Sequence, residues 1–473
     1  MSRILMVSSE AAPFAKTGGL ADVVGSLPAA LVRGGDEVAV VLPRYGSIPF
    51  DGMRRVWERL PISVGPNFFQ ADVWRMDRAG VAYFFIDVPW LYARPGGLYG
   101  DANKDFGDNQ VRFGALCQAA ISVARHMFKT DIFHGHDWQA GLVPVYLRSK
   151  FDGDPTFFGV KTVLTIHNLG YQGIIARTDL KLLGLEDSMF RADRMEFYGN
   201  ASLLKGGIVM SDAITTVSRG YAREIQTPEY GFQMDGLLRK RSGLLTGILN
   251  GVDYAEWSPE IDHHLAANYS ASHLDGKAEC KRDLLAEFNI GEEAMDRPLI
   301  GIVSRFAQQK GFDLIEQIAQ DLMSENVTLI ALGTGERQYE DMFRSLAHYF
   351  PGKVGVRVAY DNRLAHKIEA GADMFLMPSR YEPCGLNQIY SLRYGTVPVV
   401  RATGGLDDTI DEETGFKFQE YSGWALMSAV RQAIGCWQDR DRWLEMIRRG
   451  MSRDFSWDAS AAEYFALYKR LLR

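Results

Sequence analysis

The strongest constraint on the fold is a pattern of short apolar runs that alternate with helical stretches in both halves of the chain. In the first half the runs are ILMVSS (4–9), EVAVVLP (37–43), VAYFFID (81–87), DIFHGHD (131–137), VKTVLTIHN (160–168), AITTVS (213–218) and LLTGILNG (244–251). In the second half they are LIGIVSR (299–305), VTLIALG (327–333), VGVRVAY (354–360), MFLMPSR (374–380) and VPVVRA (397–402). Such runs, separated by helices, are typical of βαβ units around a buried parallel sheet. The sequence therefore predicts an α/β fold with two doubly wound domains in series.

The stretches between the runs carry amphipathic helical patterns over 21–35, 109–128 and 311–325. Residues 252–296 have turn-forming residues and little periodicity, and we interpret them as the connector between the domains. A last helical pattern covers 456–472, and periodicity alone leaves open which domain it packs against.

Composition agrees with two large domains and excludes some classes of protein. The 473 residues exceed the ~100–200 that one domain usually contains. Hydrophobic residues make up 47% and charged residues 23%, as in ordinary soluble proteins. The net charge of −7 argues against a nucleic-acid partner, because such proteins usually carry a basic excess.

Cysteines and apolar segments indicate the compartment. The four cysteines are scattered and form no CxxC pair, so neither a disulfide scaffold nor a zinc site is predicted. The first apolar run is too short for a signal peptide, and no run reaches the ~18 residues of a membrane span. We expect a cytoplasmic protein with no membrane partner.

Polar and glycine-rich segments follow the strand runs, which is where open α/β sheets bind their ligands. These segments are EAAPFAKTGGLADVVG, HGHDW, HNLGYQG, RFAQQKG, SRYEPCGLNQ and ATGGLDD. Nearly the same hexapeptide occurs in two of them, TGGLAD at 17–22 and TGGLDD at 403–408. In the first, Gly18 and Gly19 let the backbone pass close to a ligand, and Lys16 adds positive charge at a helix start that favours an anion. A plain βα turn with a surface lysine fits this segment equally well.

Two segments of the second half point to a phosphate-bearing ligand. Arg305 and Lys310 flank a helix start, and two cations in that place suit a diphosphate. Glu382 lies in a Pro-Gly turn that enters a helix near Leu386, where it would meet sugar hydroxyls or cap the helix. Cys384 is more simply a packing residue than a nucleophile, since no partner base is evident.

Histidines after two strands of the first half suggest substrate contacts. His134 and His136 share one face of an extended chain and are followed by Asp137. A metal site would need further ligands that the sequence does not identify, so we favour a His/Asp pair that contacts substrate. His167 also lies at a strand end, which favours a functional role over a purely structural one.

Taken together, these motifs resemble the bacterial glycogen synthases of the starch-synthase type. The resemblance covers almost the whole chain and rests on ordered motifs: KTGGLADVVGSLP, HDWQAG, TIHNLGYQG, SLLKGG, NGVD, SRFAQQKG, EPCGLNQ and RATGGLDDT.

The resemblance implies the GT-B fold, in which two Rossmann-like domains face a central cleft. It implies an N-terminal domain over 1–250, a connector and the start of the second domain over 251–296, a nucleotide-sugar domain over 297–455, and a helix over 456–473 that returns to the first domain. It also implies transfer of glucose from ADP-glucose to the non-reducing 4-OH of an α-1,4-glucan, with retention at the anomeric carbon.

The resemblance assigns roles residue by residue. Arg305 and Lys310 neutralise the diphosphate, Glu382 holds glucose, and Asp137 and His167 line the sugar pocket, which makes these five the catalytic set. The substrate-binding set consists of Lys16, Gly18, Gly19, His136, Asn168, Asn250, Cys384, Gly385, Leu386, Asn387, Thr403, Gly404 and Gly405. Asn387 stands where the family commonly has Thr, and its amide can also donate a hydrogen bond.

No metal or other cofactor is expected. Lys16, Arg305 and Lys310 would supply roughly three positive charges against the diphosphate. An Asp-x-Asp pattern at Asp152 and Asp154 precedes a strand in a Gly/Pro stretch, which predicts a solvated turn. Two alternatives stay open: a related GT-B transferase that uses a UDP-sugar or another acceptor, and a non-catalytic glucan-binding protein of the same fold.

Overall fold

The computed structural model describes residues 1–101 and 104–473, and the chain divides into two compact units. Unit 1 comprises residues 1–217, 222–251 and 457–473. Unit 2 comprises residues 218–221 and 252–456.

Unit 1 contains a nine-stranded sheet and a small three-stranded sheet. Its strands are β1 (Arg3–Val7), β2 (Glu37–Pro43), β3 (Arg54–Val64), β4 (Asn67–Arg78), β5 (Val81–Asp87), β6 (Ile132–His136), β7 (Lys161–Ile166), β8 (Ile174–Ile175), β9 (Glu196–Phe197), β10 (Asn200–Ser202), β11 (Ala213–Thr216) and β12 (Leu245–Gly247). The large sheet has the order β12-β11-β7-β6-β1-β2-β5-β4-β3, with β4 and β3 antiparallel at one edge and the other strands parallel. The small sheet has the order β8-β10-β9 and is antiparallel.

Unit 2 contains a six-stranded sheet in which every neighbouring pair is parallel. Its strands are β13 (Leu299–Val303), β14 (Thr328–Gly333), β15 (Val354–Val358), β16 (Met374–Met377), β17 (Val397–Arg401) and β18 (Phe416–Phe418). The order β15-β14-β13-β16-β17-β18 reverses direction beside β13, and such a switch point is where doubly wound sheets hold their ligands.

Helices cover the sheets. They are α1 (Gly19–Arg33), α2 (Pro89–Tyr92), α3 (Asn109–His126), α4 (Asp137–Ala140), α5 (Leu142–Leu147), α6 (Leu203–Met210), α7 (Arg219–Glu224), α8 (Asp235–Lys240), α9 (Asp275–Glu287), α10 (Phe312–Ser324), α11 (Arg337–Tyr349), α12 (Asn362–Gly371), α13 (Asn387–Arg393), α14 (Gly404–Thr409), α15 (Gly423–Gln438), α16 (Arg440–Met451) and α17 (Trp457–Leu471). Short 3₁₀ turns lie at Pro155–Phe157, Arg177–Leu183, Asp187–Met189, Ser242–Leu244, Glu292–Asp296 and Gln308–Lys310.

Each apolar run predicted as a strand contains one, so the prediction of two doubly wound α/β domains is confirmed. The sequence analysis missed the long hairpin of β3 and β4. Exposed and buried residues alternate along much of both strands. Such strands lack the continuous apolar run that reveals a strand buried on both faces.

The segment 252–296, where the sequence analysis found little periodicity, contains the helix α9. This helix buries Cys280, Leu284 and Leu285, but it also buries Lys281. The Lys281 ammonium pairs with the Asp373 carboxylate at 2.8 Å. A buried lysine on the inward face weakens the apolar periodicity that would have indicated a helix.

The helix α17 follows unit 2 in the sequence but belongs to unit 1. It packs against α1, and its residues Trp457, Tyr464 and Tyr468 are buried in the unit 1 core. The Phe465 ring occupies the position that a Cβ on Gly34 would need, at 2.0 Å from the nearest ring atom. None of the helices in the described residues has the length and apolar character of a membrane span.

Candidate active site

The first glycine-rich segment, which we call the N-terminal loop (residues 17–22), carries β1 into α1. Gly18 is the residue before the helix, with extended backbone at φ −159°, and Gly19 is the first helical residue. Apart from its chain neighbours and its own helix, a Cβ atom at either glycine would have no atom of the described residues within 4 Å. Packing therefore does not require glycine here, and the open space lies beside the unbonded N–H groups of a helix start.

A buried carboxylate that the sequence analysis missed holds this loop. Glu10 is 3% exposed and accepts hydrogen bonds from the Thr17 amide at 2.5 Å and the Thr17 hydroxyl at 2.6 Å. The Tyr99 hydroxyl also donates to it. Glu10 follows β1 closely, which was an available signal, but no motif pointed to the distant Tyr99. The Glu10 carboxylate thus fixes the N-terminal loop at its first residue, Thr17.

Lys16 is not a free cation. Its ammonium lies 2.6 Å from the Asp22 carboxylate, on the first turn of α1. Burial raises the pKa of Asp22, while the nearby Lys16 charge acts in the opposite direction. Part of the positive charge predicted for this loop is therefore balanced within the loop.

Three buried histidines line the ends of β6 and β7. The rings of His134 and His136 stack with centroids 4.4 Å apart, and His136 Nδ1 lies 3.0 Å from His167 Nε2. Burial lowers the pKa of His134 and of His167 to about 3, and it lowers the pKa of His136 well below its usual value. The three rings are therefore neutral near pH 7.

The two nitrogens of His134 are both used inside unit 1, by Tyr468 and Thr165. His136 Nε2, in contrast, is buried and has no hydrogen-bond partner among the residues that the structure describes. Buried polar atoms are seldom left without a partner, so His136 has a donor or acceptor available for a bound molecule.

Asp137 organises the end of β7. Its carboxylate accepts a hydrogen bond from the His167 amide at 2.7 Å. Burial raises the pKa of Asp137 to about 7, and the hydrogen bonds from the His167 and Asn168 amides act against that rise. Asp137 has a positive φ of 55°, a conformation that is costly for a residue other than glycine. Such strain is maintained where the surrounding structure fixes one geometry.

The remaining predicted residues of unit 1 lie in loops after strands. The Asn168 side-chain oxygen accepts from the Gly170 amide at 3.0 Å, which shapes the loop after β7. Asn250 is 6% exposed and follows β12.

In unit 2, Lys310 and Glu382 form a close ion pair. The Lys310 ammonium lies 2.6 Å from Glu382 Oε2, and the Ser379 hydroxyl donates to the same oxygen at 3.0 Å. Glu382 is 6% exposed, whereas Lys310 is half-buried. The pair joins the 3₁₀ turn before α10 to the loop after β16.

Glu382 does not cap α13, because the residue before that helix is Leu386 and no side chain bonds to the helix start. Arg305 is exposed and forms no ion pair with a described residue. Of the three cations expected to act on the diphosphate, Lys16 and Lys310 are each already paired with a carboxylate, which offsets part of the positive charge they would bring to a ligand.

The second glycine-rich segment, which we call the C-terminal loop (residues 403–408), begins α14 with Thr403 before the helix. The Gly405 amide donates to the Glu382 carbonyl at 3.1 Å. A Cβ on Gly404 would lie 2.0 Å from the Glu382 carbonyl oxygen, and one on Gly405 would lie 2.0 Å from that of Cys384. The loop is thus packed onto the turn that carries Glu382.

The start of α13 completes this arrangement. Gly385 has a positive φ of 71° at the entry to the helix, and Cys384 is buried. The Asn387 amide nitrogen donates to the Val303 carbonyl at 3.1 Å, which connects α13 to the end of β13. One of the two N–H groups of the side-chain amide that we expected to replace a threonine hydroxyl at the ligand is therefore already used within the fold.

The Asp-x-Asp pattern forms a local turn. The Asp154 carboxylate accepts from the Thr156 amide at 2.9 Å and pairs with Arg125 at 2.5 Å. The hydrogen bond from Arg125 lowers the pKa of Asp154 to about 2. Asp152 is exposed beside it.

Comparisons with known proteins agree along the whole chain. Residues 3–240 match the family described as the starch synthase catalytic domain, and residues 285–449 match glycosyl transferases group 1. A glycogen synthase of Koribacter versatilis is 50% identical, over 99% of this chain and 98% of that protein. One of Anaeromyxobacter sp. (strain Fw109-5) is 46% identical, over 99% of each.

Solved structures give the same result. The catalytic domain of starch synthase IV from Arabidopsis thaliana, solved with ADP and acarbose, matches with a TM-score of 0.91 and 31% identity, over 100% of this chain and 99% of that one. Sucrose-phosphate synthase from Thermosynechococcus elongatus matches with a TM-score of 0.61 at 18% identity, which shows the shared fold alone. The chain therefore belongs to the glycogen synthase family of GT-B glycosyltransferases.

Proposed function

We propose that the protein transfers glucose from ADP-glucose to the non-reducing 4-OH of an α-1,4-glucan, with retention at the anomeric carbon, and so elongates glycogen. The observation that carries the proposal is the buried Glu382 carboxylate held by Lys310 and Ser379 after β16, the strand beside β13 at the sheet's switch point. The Arabidopsis relative was solved bound to ADP and acarbose, which supports an ADP-containing donor here.

The cations of unit 2 act on the leaving group. As the bond between glucose and ADP breaks, negative charge develops on a phosphate oxygen. Arg305 supplies an unpaired guanidinium, and Lys310 supplies an ammonium whose position is fixed by Glu382. Both groups act through fixed charge, without any proton transfer.

Glu382 then has two tasks in this proposal. Ion pairing positions Lys310 before the donor binds, and the carboxylate oxygens accept hydrogen bonds from glucose hydroxyls. Because one carboxylate has about four lone-pair directions, both tasks can be met at once.

The polar groups of unit 1 act on the sugar. The neutral His136 ring offers its unpartnered Nε2 to a hydroxyl. Asp137 fixes the backbone of His167 and Asn168 through hydrogen bonds. Since neutral rings add no positive charge, they do not oppose the positive charge that develops on the glucose ring. The N-terminal loop, with its open space at Gly18 and Gly19, accommodates the approach of the donor.

We propose that the reaction needs no metal ion. Asp154 is already used in a turn and an ion pair with Arg125. A different group, Asp262, His263 and His264, has ligand atoms within 4.8 Å of one another. Asp262 already accepts from His366 and Tyr394, and the group is separate in sequence from the predicted site. None of the four cysteines, all of which lie in the described residues, forms a disulfide, in keeping with the cytoplasmic location that we propose.

The central test is Lys310→Gln in the purified enzyme. We expect kcat/KM with ADP-glucose and glycogen to fall roughly 100- to 1,000-fold, because loss of one transition-state donor costs about 2.7–4 kcal/mol. The matched control is Lys367→Gln, which removes another lysine–carboxylate pair of unit 2, at 2.8 Å from Glu287. Near-normal turnover of a folded Lys310→Gln enzyme would contradict the proposed role.

A donor panel in the same assay tests the substrate. We expect ADP-glucose to exceed UDP-glucose in kcat/KM on glycogen. A preference for UDP-glucose would replace the donor in the proposal, and absence of turnover with either would favour a non-catalytic glucan-binding protein.

A further inference from the structure

A buried carboxyl group that the proposed mechanism does not use lies on α12 in unit 2. Glu369 is 0% exposed, and the Ser391 hydroxyl donates to its Oε2 at 2.7 Å. Its other oxygen, Oε1, is buried and has no hydrogen-bond partner among the residues that the structure describes. Buried polar atoms are seldom left without a partner, so this oxygen marks a place where a donor belongs.

Helix periodicity identifies the donor. Ser391 lies on α13, and residues four positions apart on a helix share one face, so Asn387 points to the same side as Ser391. One of the two N–H groups of the Asn387 amide bonds to the Val303 carbonyl at 3.1 Å. The second N–H is therefore available for Glu369 Oε1.

The pKa of Glu369 agrees with this contact. Burial raises the pKa to about 8, while the Ser391 hydroxyl, the charge of Lys277 and the Asn387 amide act in the opposite direction. The amide thus lies near enough to act on the carboxyl group. Near pH 7 this group is mostly protonated and uncharged. A neutral carboxyl group keeps one oxygen that only accepts, and a glutamine side chain offers the same acceptor in nearly the same shape.

Asn387 stands between two segments that carry predicted active-site residues. Val303 ends β13, and Arg305 follows it by two positions. Asn387 is the first residue of α13, and the turn that carries Glu382 leads directly into that helix. An amide bonded through both N–H groups therefore holds these two segments together and against α12.

We propose that Glu369 is a positioning residue for the donor site. Through the Asn387 amide, it fixes the end of β13 that precedes Arg305 relative to the turn that contains Glu382. Glu369 itself touches no ligand, because it is completely buried. The identity of the donor rests on the proposed function, whereas the network is a property of unit 2 alone. The proposal also gives a task to Asn387, which stands where the family commonly has Thr.

The test is Glu369→Leu, which keeps a side chain of similar size that cannot accept a hydrogen bond. With ADP-glucose and glycogen we expect kcat to fall about tenfold and the KM for glycogen to stay unchanged, because a misplacement of roughly 1 Å costs up to about 100-fold in rate. Glu369→Gln should retain nearly full kcat, since its amide oxygen accepts from Asn387.

The matched control is Thr328→Val, another isosteric loss of a buried polar atom in unit 2. Thr328 is 0% exposed at the start of β14, and its hydroxyl has no hydrogen-bond partner in the described part of the chain. We expect its kcat to equal that of the wild type.

A double variant distinguishes the network from a direct contact between Asn387 and a ligand. Asn387→Ala removes both N–H bonds, so we expect a loss of kcat at least as large as in Glu369→Leu. Because Glu369 then has nothing to hold, adding Glu369→Leu to Asn387→Ala should cause no further loss. If the two losses multiply instead, the residues act independently and the proposal is refuted.

Hydrogen exchange provides a readout that needs no catalysis, so it tests the network even if ADP-glucose is not the donor. We expect the amides of 382–388 to exchange faster in Glu369→Leu and at the wild-type rate in Glu369→Gln. Should Glu369→Leu fail to fold, Asn387→Ala, at a half-buried position, serves for the same measurement.

Three results would overturn the positioning role. The first is wild-type exchange over 382–388 in a folded Glu369→Leu enzyme. The second is faster exchange with unchanged kcat. The third is an equal loss of kcat in Glu369→Leu and Glu369→Gln, because a glutamine that can accept from Asn387 must preserve the network.

Discussion

The N-terminal and C-terminal loops share the letters TGGL, yet their glycines meet different surroundings. Gly18 and Gly19 of the N-terminal loop face open space, and a methyl group there would contact no described residue beyond its chain neighbours and its own helix. Gly404 and Gly405 of the C-terminal loop press against the carbonyl oxygens of residues 382 and 384. The helix also starts at the second glycine in one loop and at the first in the other.

The difference separates two reasons for a glycine. In the N-terminal loop, glycine leaves space that a ligand can enter. In the C-terminal loop, glycine lets one backbone segment lie on another and so fixes the turn that carries Glu382. The same motif therefore leaves open space in unit 1 and allows close backbone packing in unit 2.

The largest effect is expected for Gly405→Ala. The new methyl group would lie 2.0 Å from a backbone oxygen, so the backbone itself must move. We expect the free energy of unfolding to fall by about 3 kcal/mol, with loss of activity. Urea unfolding measures the change. Gly435→Ala in α15 is the control, because a Cβ there meets nothing and alanine favours the helix.

Gly19→Ala should give the opposite result. We expect the free energy of unfolding to stay within about 0.5 kcal/mol of the wild type, since packing does not oppose the methyl group. We expect kcat/KM with ADP-glucose to fall about ten- to 100-fold, because a small displacement of a reacting group has an effect of that size. The control is Gly236→Ala in α8, which should change neither the free energy of unfolding nor kcat/KM. If Gly19→Ala lowers the free energy of unfolding as much as Gly405→Ala does, the proposed difference between the two loops is wrong.

We expect acid to destabilise unit 1 more than unit 2. The buried histidines of unit 1 stay neutral when folded but take up protons when unfolded, so stability is full above about pH 6.5 and falls as pH drops. Between pH 7 and 5 we expect a loss of about 2 kcal/mol for each histidine. Hydrogen exchange at pH 5 should show unit 1 opening first, and His134→Gln should reduce the pH dependence. Earlier opening of unit 2 would contradict this.

The smallest effect on activity is expected for the double variant Asp152→Asn/Asp154→Asn and for excess EDTA. Asp154, like the glycines of the C-terminal loop, belongs to a motif whose atoms are already used within the fold. We expect nearly unchanged kcat/KM in both cases. The control is an activity assay with added Mg²⁺. If chelation abolishes turnover and Mg²⁺ restores it, Arg305 and Lys310 are not the main counter-charge.

The alternation of strands and helices was readable because strands buried on both faces need continuous apolar runs. The sheet orders follow from long-range pairing, which no local pattern contains. The sequence analysis did not predict the β3–β4 hairpin because its strands are partly exposed. It did not predict α9 because Lys281 lies on the inward face of that helix. Local composition thus indicated those elements that are fully buried and uniformly apolar.

For the site, the sequence placed the predicted residues at strand ends, where the structure has them. It did not reveal which charges are already paired, because the Lys310–Glu382 contact joins residues 72 positions apart. It also missed Glu10, whose partner Tyr99 is 89 positions away. Pairing at such distances depends on the tertiary fold and leaves no spacing to recognise.

The docking of α17 on unit 1 has a consequence for synthesis on the ribosome. Tyr468 is needed to satisfy His134, and the Ser460 hydroxyl bonds to the Leu249 carbonyl at 2.6 Å. These groups emerge only after all of unit 2 has been translated. Unit 2 can therefore fold during translation, whereas unit 1 waits with part of its core uncovered. Nascent chains stalled before residue 457 should expose that apolar surface to chaperones.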